Sequence, residues 1–263
     1  MKHALLASLA VASLVAAAPL AAHPIDGTWK TDPKKIEFSK RPDVHIIADG
    51  TYRCESCTPP WSVPADGKLH ATPGRPYADE ASVTVVDAST VRMTQRHRGK
   101  QIGEALVRVA ADGNTLTYDW TDTGAASGRV EKGRETMTRV SAAPAGAHAT
   151  SGGWLTTAVE SATAGAFEQT FRVEGDTVHL STPTGESYVA KLGGPAVPIV
   201  GDRAGTMASV RSTGPATLVE TGTRAGKPIY EMTFTVAPDG RSMTVANVNK
   251  QTGATSSFVA TRQ

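Results

Sequence analysis

The sequence has few of the residues that mark well-defined functional classes. It holds two cysteines, and aromatic residues make up 5% of its 263 positions. Beyond the first 22 residues, no apolar run reaches the roughly 20 residues that a membrane-spanning helix needs. Lysine and arginine number 27 against 25 aspartate and glutamate residues, so the concentrated positive charge that binds nucleic acid or anionic membranes is missing. We therefore expect neither nucleic acid nor a membrane as a partner of the processed chain.

Motifs of the common enzyme classes are also missing. The sequence has no Gly-x-Ser-x-Gly, His-Glu-x-x-His, phosphate-loop or EF-hand pattern. A zinc site would need two ligands beyond the cysteines, and only His70 offers itself. Haem attachment would need a histidine where Thr58 stands. We therefore expect no metal and no cofactor, and we favour a protein without catalytic activity.

The first 22 residues have the layout of a secretory signal peptide. Lys2 and His3 precede an apolar run over residues 4–15, which is followed by small residues up to Ala22. We expect cleavage after Ala22 and a periplasmic or extracellular location. In such a compartment Cys54 and Cys57 are expected to form a disulfide.

A redox-active Cys54–Cys57 pair is the alternative to a structural bridge. Thioredoxin-like chemistry places the first cysteine at the N-terminus of a helix, which lowers its pKa. The sequence predicts no such helix here, so the structural bridge is preferred.

The chain contains one pattern twice, 127 residues apart. Gly99-Lys100 and Asp112-Gly113 in the first copy correspond to Gly226-Lys227 and Asp239-Gly240 in the second. Residues 104–109 and 231–236 alternate between apolar and polar side chains before each Asp-Gly pair. Asp-Gly between alternating strands predicts a hairpin with a tight type I′ turn.

The whole chain after the leader is predicted to be all-β, with two tandem antiparallel meander barrels. The first lobe covers residues 25–140, a linker rich in alanine, glycine and proline covers 141–151, and the second lobe covers 152–263. Residues 32–35 are predicted as a turn or short helix. No helix long enough for a parallel crossover is predicted, and about eight strands per lobe suit a barrel. The main predicted strands are 44–47, 81–86, 91–95, 102–109, 115–120 and 135–140 in the first lobe, and 154–159, 166–173, 177–181, 187–191, 207–211, 216–221, 229–236, 242–248 and 257–261 in the second.

The alternation of side chains along the repeated strand predicts which lobe has room inside. Ala105, Val107 and Val109 share one face, and the larger Met232, Phe234 and Val236 occupy the matching positions. If these faces point inward, the second lobe is filled more completely. We therefore expect a cavity in the first lobe.

Each lobe resembles a calycin, the superfamily of lipocalins and fatty-acid-binding proteins. Those barrels commonly begin with Gly-x-Trp, and the tryptophan packs against an arginine of the last strand. Here Gly27-Thr28-Trp29 is paired with Arg139, and Gly152-Gly153-Trp154 with Arg262. The resemblance implies barrels closed by these residues and, by extension, the binding of lipophilic molecules.

Nearly the whole chain is also similar to a group of uncharacterised secreted bacterial proteins. The similarity rests on the segment from Gly50 to Pro59 with its two cysteines, on 65–67, on 144–148 and on the last five residues. It implies secretion and duplication. It supplies no activity, substrate or catalytic residue.

Candidate ligand-binding residues follow from these patterns. Trp61 stands beside the cysteines in a Pro-Pro-Trp loop, and Val107 lies on the predicted inner face. Arg96, Arg98 and Lys100 surround the first hairpin and are candidates to bind an anion at a barrel mouth. The leading hypothesis is non-catalytic binding of a small lipophilic or anionic molecule. The alternatives are a structural or protein-interaction module without a ligand, and a thiol–disulfide or other enzyme that uses Cys54 and Cys57.

Overall fold

The computed structural model describes residues 22–263, so all but the last residue of the predicted leader lies outside the described residues. This part of the chain forms twenty strands and a single 3₁₀ turn, Ala164–Phe167. The strands make two ten-stranded antiparallel sheets, and each sheet curls into a nearly closed barrel. The predicted all-β fold with two tandem antiparallel barrels is thus confirmed. Residues 22–263 contain no helix that is long and apolar enough to cross a membrane.

The first barrel takes ten consecutive strands of the chain. They are β2 (Asp43–Ala48), β3 (Thr51–Cys54), β4 (Trp61–Pro64), β5 (His70–Ala71), β6 (Glu80–Asp87), β7 (Thr90–His97), β8 (Lys100–Val109), β9 (Thr115–Asp122), β10 (Glu131–Ser141) and β11 (Gly152–Ala162). Their spatial order is β4-β3-β2-β11-β10-β9-β8-β7-β6-β5. A bridge between Asp66 and Thr84 brings the two edges of the sheet together.

The second barrel combines the N-terminal strand with the last nine. These are β1 (Gly27–Glu37), β12 (Glu168–Glu174), β13 (Thr177–Ser181), β14 (Ser187–Lys191), β15 (Val197–Pro198), β16 (Met207–Gly214), β17 (Thr217–Arg224), β18 (Lys227–Val236), β19 (Ser242–Asn249) and β20 (Thr255–Arg262). Their order is β14-β13-β12-β1-β20-β19-β18-β17-β16-β15, so β1 occupies the place that β11 holds in the first barrel. Bridges Ser187–Val200 and Leu192–Val210 join the edges.

The two repeats have therefore exchanged their first strands. Trp29 on β1 is opposite Arg262 on β20, and Trp154 on β11 is opposite Arg139 on β10. The predicted pairing of Trp29 with Arg139 and of Trp154 with Arg262 is wrong. The residue types of the motif are right, but each tryptophan serves the barrel of the other repeat. The barrels accordingly do not coincide with residues 25–140 and 152–263.

One end of each barrel is closed by a buried tryptophan and an arginine that stacks on it, here called the Trp–Arg cap. The Arg139 guanidinium lies 4.1 Å from the Trp154 ring centroid and donates to the carbonyls of Gly113 (2.6 Å) and Ala149 (2.7 Å). Both tryptophans are fully buried, and the stacked guanidinium stabilises each by on the order of 1–2 kcal/mol.

The second cap repeats these contacts nearly atom for atom. The Arg262 guanidinium lies 4.4 Å from the Trp29 ring and donates to the carbonyls of Gly240 (2.7 Å) and Pro24 (2.6 Å). The caps thus use backbone carbonyls at equivalent positions of the two repeats.

The predicted linker is part of the first barrel. Its residues connect β10 to β11 across the capped end, where the amide of His148 donates to Ile47 and its imidazole bonds the carbonyl of Asp87. The chain instead passes between the barrels at residues 38–42 and again around the 3₁₀ turn. Two crossings in opposite directions tie the barrels together.

Two local predictions are corrected by the backbone. Residues 32–35 lie within β1 and form an irregular stretch between Thr31 and Ile36, where the register with β20 shifts. The turn at Asp112-Gly113 is longer than a type I′ hairpin, because the Asp112 carboxylate accepts the amides of Asn114 and Thr115 and only Gly113 has a positive φ. The two-residue turns with two positive φ values are instead Asp49-Gly50, Arg98-Gly99 and Ala225-Gly226.

The barrels meet at the ends opposite their caps. Tyr77, in the loop between β5 and β6, accepts a hydrogen bond at its hydroxyl from Arg224 of the second barrel (2.9 Å). Arg203, in the equivalent loop of the second barrel, donates to the carbonyl of Gly124 and lies 3.9 Å from Asp122. Each barrel therefore sends one loop onto the open end of the other.

Candidate functional site

The interior of the first barrel contains a cavity of about 350 Å³. Part of its wall is apolar and includes Met93, Val107, Leu116 and Met137. The rest is polar, which is unusual for the inside of a small barrel. The polar or charged lining residues are Asp43, His45, Tyr52, Ser56, Arg75, Gln95, Tyr118 and Glu135.

The second barrel fills the space at matching positions. Glu220, 4% exposed, accepts hydrogen bonds from the hydroxyls of Tyr188 and Tyr230, each at 2.6 Å. The strand registers align these three residues with Met93, Trp61 and Gly103 of the first barrel. The space that remains at this end of the second barrel is about 220 Å³. The cavity expected in the first lobe thus lies in the first barrel, and it is larger than the space in the second.

On the opposite wall, the first barrel has polar side chains where the second barrel has apolar ones. Tyr118 is opposite Glu135 in the first barrel, and the corresponding cross-strand pair in the second is Val245 and Phe258. His45 likewise corresponds to Phe171, since each is opposite a glycine at the start of the Trp strand. The second barrel closes with apolar side chains at these three positions, so the fold does not require polar ones. His45, Tyr118 and Glu135 are therefore particular to the first barrel.

Burial changes the protonation of this polar wall. Desolvation lowers the pKa of His45 to about 4, so its imidazole is neutral near pH 7. Desolvation also raises the pKa of the Glu135 carboxyl, partly offset by a hydrogen bond from Trp120. The pKa of Tyr118 rises to about 12 for the same reason, with the Glu135 charge adding to it. The wall thus offers neutral hydrogen-bond donors and acceptors, together with the Glu135 carboxyl group, whose ionisation is disfavoured by burial.

His45 should make the protein sensitive to mild acid. Its pKa is lower in the folded state than in the unfolded state. The contribution of neutral His45 to the free energy of unfolding is therefore fully present above pH 6.5 and is lost as the pH falls toward 4. A pKa lowered from 6.5 to about 4 corresponds to about 3 kcal/mol at about 1.4 kcal/mol per pKa unit. In urea unfolding at pH 7.5 and pH 4.5, His45→Phe should lose less stability on acidification than the wild type.

The matched control is His179→Gln, which alters a partly exposed histidine on the second barrel. It should keep the acid sensitivity of the wild type. Equal acid sensitivity in wild type and His45→Phe would show that His45 is not the group responsible.

Arg75 lies at the mouth of the cavity. Its guanidinium stacks on the Trp61 ring at 4.2 Å, and Nη2 donates to Gln95 at 3.4 Å. The loop that carries it is held at its base, where the amide of Thr72 donates to the carbonyl of Asp79 (2.8 Å). The only lysine or arginine in the cavity lining is therefore fixed in place by a loop rather than by a strand.

The structure separates the residues predicted to bind a ligand. Trp61 and Val107 both line the cavity. Arg96, Arg98 and Lys100 belong to the β7–β8 hairpin, and none of them is among the residues that line it. Arg98 and Lys100 are exposed, and the Arg98 amide donates to the Asp79 carboxylate at 2.7 Å. The basic group at the mouth is Arg75 instead.

The sequence patterns missed His45 and Glu135, which could have been found by aligning the two repeats with each other. Aligning the inward positions pairs Glu135 with Phe258 and His45 with Phe171, and a polar residue opposite a phenylalanine is the signal. Arg75 gave no such signal, because it lies in a loop with no periodic pattern.

Cys54 and Cys57 form a disulfide beside the cavity, as predicted. The Trp61 indole donates to Cys57 Sγ at 3.2 Å, and Cys54 is 7% exposed. Within residues 22–263 no α-helix precedes or follows the pair, so the helix N-terminus that activates thioredoxin-like cysteines is not present there. The bridge fixes the turn that positions Trp61.

In the described range, no three histidine, cysteine, aspartate or glutamate side chains are grouped in a way that could hold a metal ion. The candidate site is accordingly the cavity of the first barrel and its mouth.

No protein-family model matches the sequence, and no curated protein is similar to it.

Proposed function

We propose that this protein binds a small, largely apolar molecule with at least one hydrogen-bonding group inside its first barrel, without catalysis. The observation that carries the proposal is the contrast between the barrels. At matching inward positions the second barrel is filled by phenylalanine, valine and a hydrogen-bonded Glu–Tyr–Tyr group, while the first keeps a polar wall around a cavity of about 350 Å³. Cavities of this size hold small organic molecules.

The two kinds of wall have separate roles in this proposal. Met93, Val107 and Leu116 remove the apolar body of the ligand from water, which supplies most of the affinity. Tyr118, Glu135 and His45 fix its orientation, because a polar ligand group left without a partner there would lose binding energy. Arg75 and Trp61 control the entrance. The bonded cysteines favour an oxidising compartment outside the cytoplasm as the place of action.

Copying the second barrel into the first should abolish binding. In the variant Tyr118→Val/Glu135→Phe the phenylalanine fills the cavity as Phe258 does in the second barrel, so the fold should be retained. We expect the wild type to bind the neutral fluorescent probe N-phenyl-1-naphthylamine saturably and the variant to bind it at least tenfold more weakly.

The neighbouring pair on the same two strands provides the control. Thr117 and Thr136 are opposite each other one position away, with the reverse orientation. Thr117→Val/Thr136→Phe should bind the probe as the wild type does. Equal binding by all three proteins, or no saturable binding by the wild type, would overturn the proposal and favour a structural or interaction module.

A catalytic role for the cysteines predicts a different result. Cys54→Ser/Cys57→Ser would then abolish turnover of a disulfide substrate while leaving stability unchanged. A bridge that only positions Trp61 predicts lower stability and an altered cavity mouth.

A further inference from the structure

A second and larger cleft lies between the barrels, next to Arg75. Its volume is about 660 Å³, and residues of both barrels and of the crossing segment 38–42 line it. Three arginines line the cleft: Arg41 from the crossing segment, Arg75 from the loop of the first barrel and Arg224 from the second barrel. Asp43 is the single acidic residue in the lining.

None of these arginines forms an ion pair with a described residue. Among residues 22–263, no carboxylate oxygen lies within 4.0 Å of a nitrogen of Arg41, Arg75 or Arg224. Arg203, at the other contact between the barrels, lies 3.9 Å from Asp122 and donates to a carbonyl. Arg203 thus shows that an arginine between the barrels can have an acidic partner within the protein.

Two of the guanidinium groups have donors directed at no acceptor. Nη1 of Arg75 and Nε of Arg224 are both buried, and neither has a hydrogen-bond partner in the described chain. Both side chains also have contacts that position them: Arg75 stacks on Trp61, and Arg224 lies 5.0 Å from the Tyr77 ring and donates to Thr206 at 3.1 Å. A buried donor without an acceptor costs about 1–3 kcal/mol, so both side chains carry hydrogen-bonding capacity that the described chain does not use.

The lining of the cleft indicates which acceptor would fit. Planar guanidinium groups bind a carboxylate through two parallel hydrogen bonds. The remaining lining combines aromatic rings with hydroxyl and amide groups, which suits an organic body rather than a bare inorganic ion. The aromatic rings include those of Phe38, Trp61 and Tyr230, and the polar groups include those of Ser39, Asn249 and Gln251.

We propose that the cleft between the barrels binds the carboxylate of a small organic acid, which accepts hydrogen bonds from Arg75 and Arg224. The cleft adjoins the cavity inside the first barrel, and Asp43, Ser56, Cys57, Trp61 and Arg75 line both. Arg224 and Tyr230 line the cleft and not that cavity. A substitution of Arg224 therefore tests the cleft, and the variant Tyr118→Val/Glu135→Phe tests the cavity.

The test is calorimetric titration of the full chain with benzoate and with glucuronate, at low ionic strength and with inorganic phosphate as comparison. We expect saturable binding of at least one carboxylate to the wild type and at least a tenfold loss in Arg224→Gln. Arg224→Lys, which keeps the charge but not the planar pair of donors, should bind more weakly than the wild type and more tightly than Arg224→Gln. Thermal unfolding should show both variants folded, because the substitution removes hydrogen bonds to Tyr77 and Thr206 but leaves the apolar core of each barrel unchanged.

Arg203→Gln is the matched control, because it also removes an arginine from between the barrels. It should bind the carboxylate as the wild type does, and so should Tyr118→Val/Glu135→Phe. Equal binding by wild type and Arg224→Gln, or no saturable binding of either acid, would overturn the proposal. Binding of phosphate alone would overturn the assignment to an organic carboxylate.

Discussion

A variant that lacks residues 23–42 should lose the fold of its second barrel and keep that of its first. The deletion removes β1, which pairs with both β12 and β20, and with it the fully buried Trp29. Loss of a buried tryptophan side chain alone costs about 3–5 kcal/mol, which is comparable to the whole stability of many domains. Limited proteolysis followed by mass spectrometry should show cleavage throughout residues 163–263 and a protected fragment near 43–162.

The isolated segment 43–162 is the control for this deletion. It contains all ten strands of the first barrel, including β11 and Trp154, and should fold alone with an intact Trp–Arg cap. The opposite pattern, with the first barrel digested and the second protected after deletion of 23–42, would mean that β1 belongs to its own repeat. The exchange of strands would then be wrong.

Glu220→Ala should be among the most destabilising single substitutions in the second barrel. Glu220 is the acceptor for two tyrosine hydroxyls, and that of Tyr188 is buried with it. Removing the carboxylate leaves both donors without a partner at about 1–3 kcal/mol each and adds a cavity. Urea unfolding should show a loss of about 3 kcal/mol or more.

Glu220→Gln is the control, because the amide oxygen can still accept a hydrogen bond in nearly the same volume. Desolvation raises the pKa of Glu220 in the fold, although the two tyrosine hydrogen bonds lower it in part. A raised carboxyl pKa means that stability is fully present below the unfolded pKa and falls as the pH rises through the folded one. Glu220→Gln should remove this decline, whereas equal losses for alanine and glutamine would show that the hydrogen bonds are unimportant.

The positions of strands were predictable because the apolar alternation is strong and the turns are marked. Strands Thr177–Ser181 and Ser187–Lys191 were predicted to the residue. The exchange of β1 and β11 was not predictable. Both strands carry glycine two residues before tryptophan, and both barrels offer the same place between equivalent neighbours. A pattern that repeats cannot say which copy pairs with which arginine.

The cavity was predictable in part. The small inward residues Ala105 and Val107 indicated room in the first lobe; Val107 lines the cavity, whereas Ala105 lines a different pocket. The polar wall was not predicted, because Glu135 and Tyr118 look like ordinary strand residues until their register with each other is known. The basic hairpin was misleading for a physical reason: Arg98 and Lys100 are at a solvated turn, while Arg75 is brought to the mouth by a loop that folds back over the barrel.

Native mass spectrometry of the wild-type protein, beside Tyr118→Val/Glu135→Phe produced in the same host, tests the central claim most directly. The claim is that the first barrel holds a small molecule that the second, filled barrel does not. We expect a mass adduct on the wild type that is released on collisional activation and is missing from the variant. An adduct of equal abundance on both proteins, or none on the wild type, would contradict it.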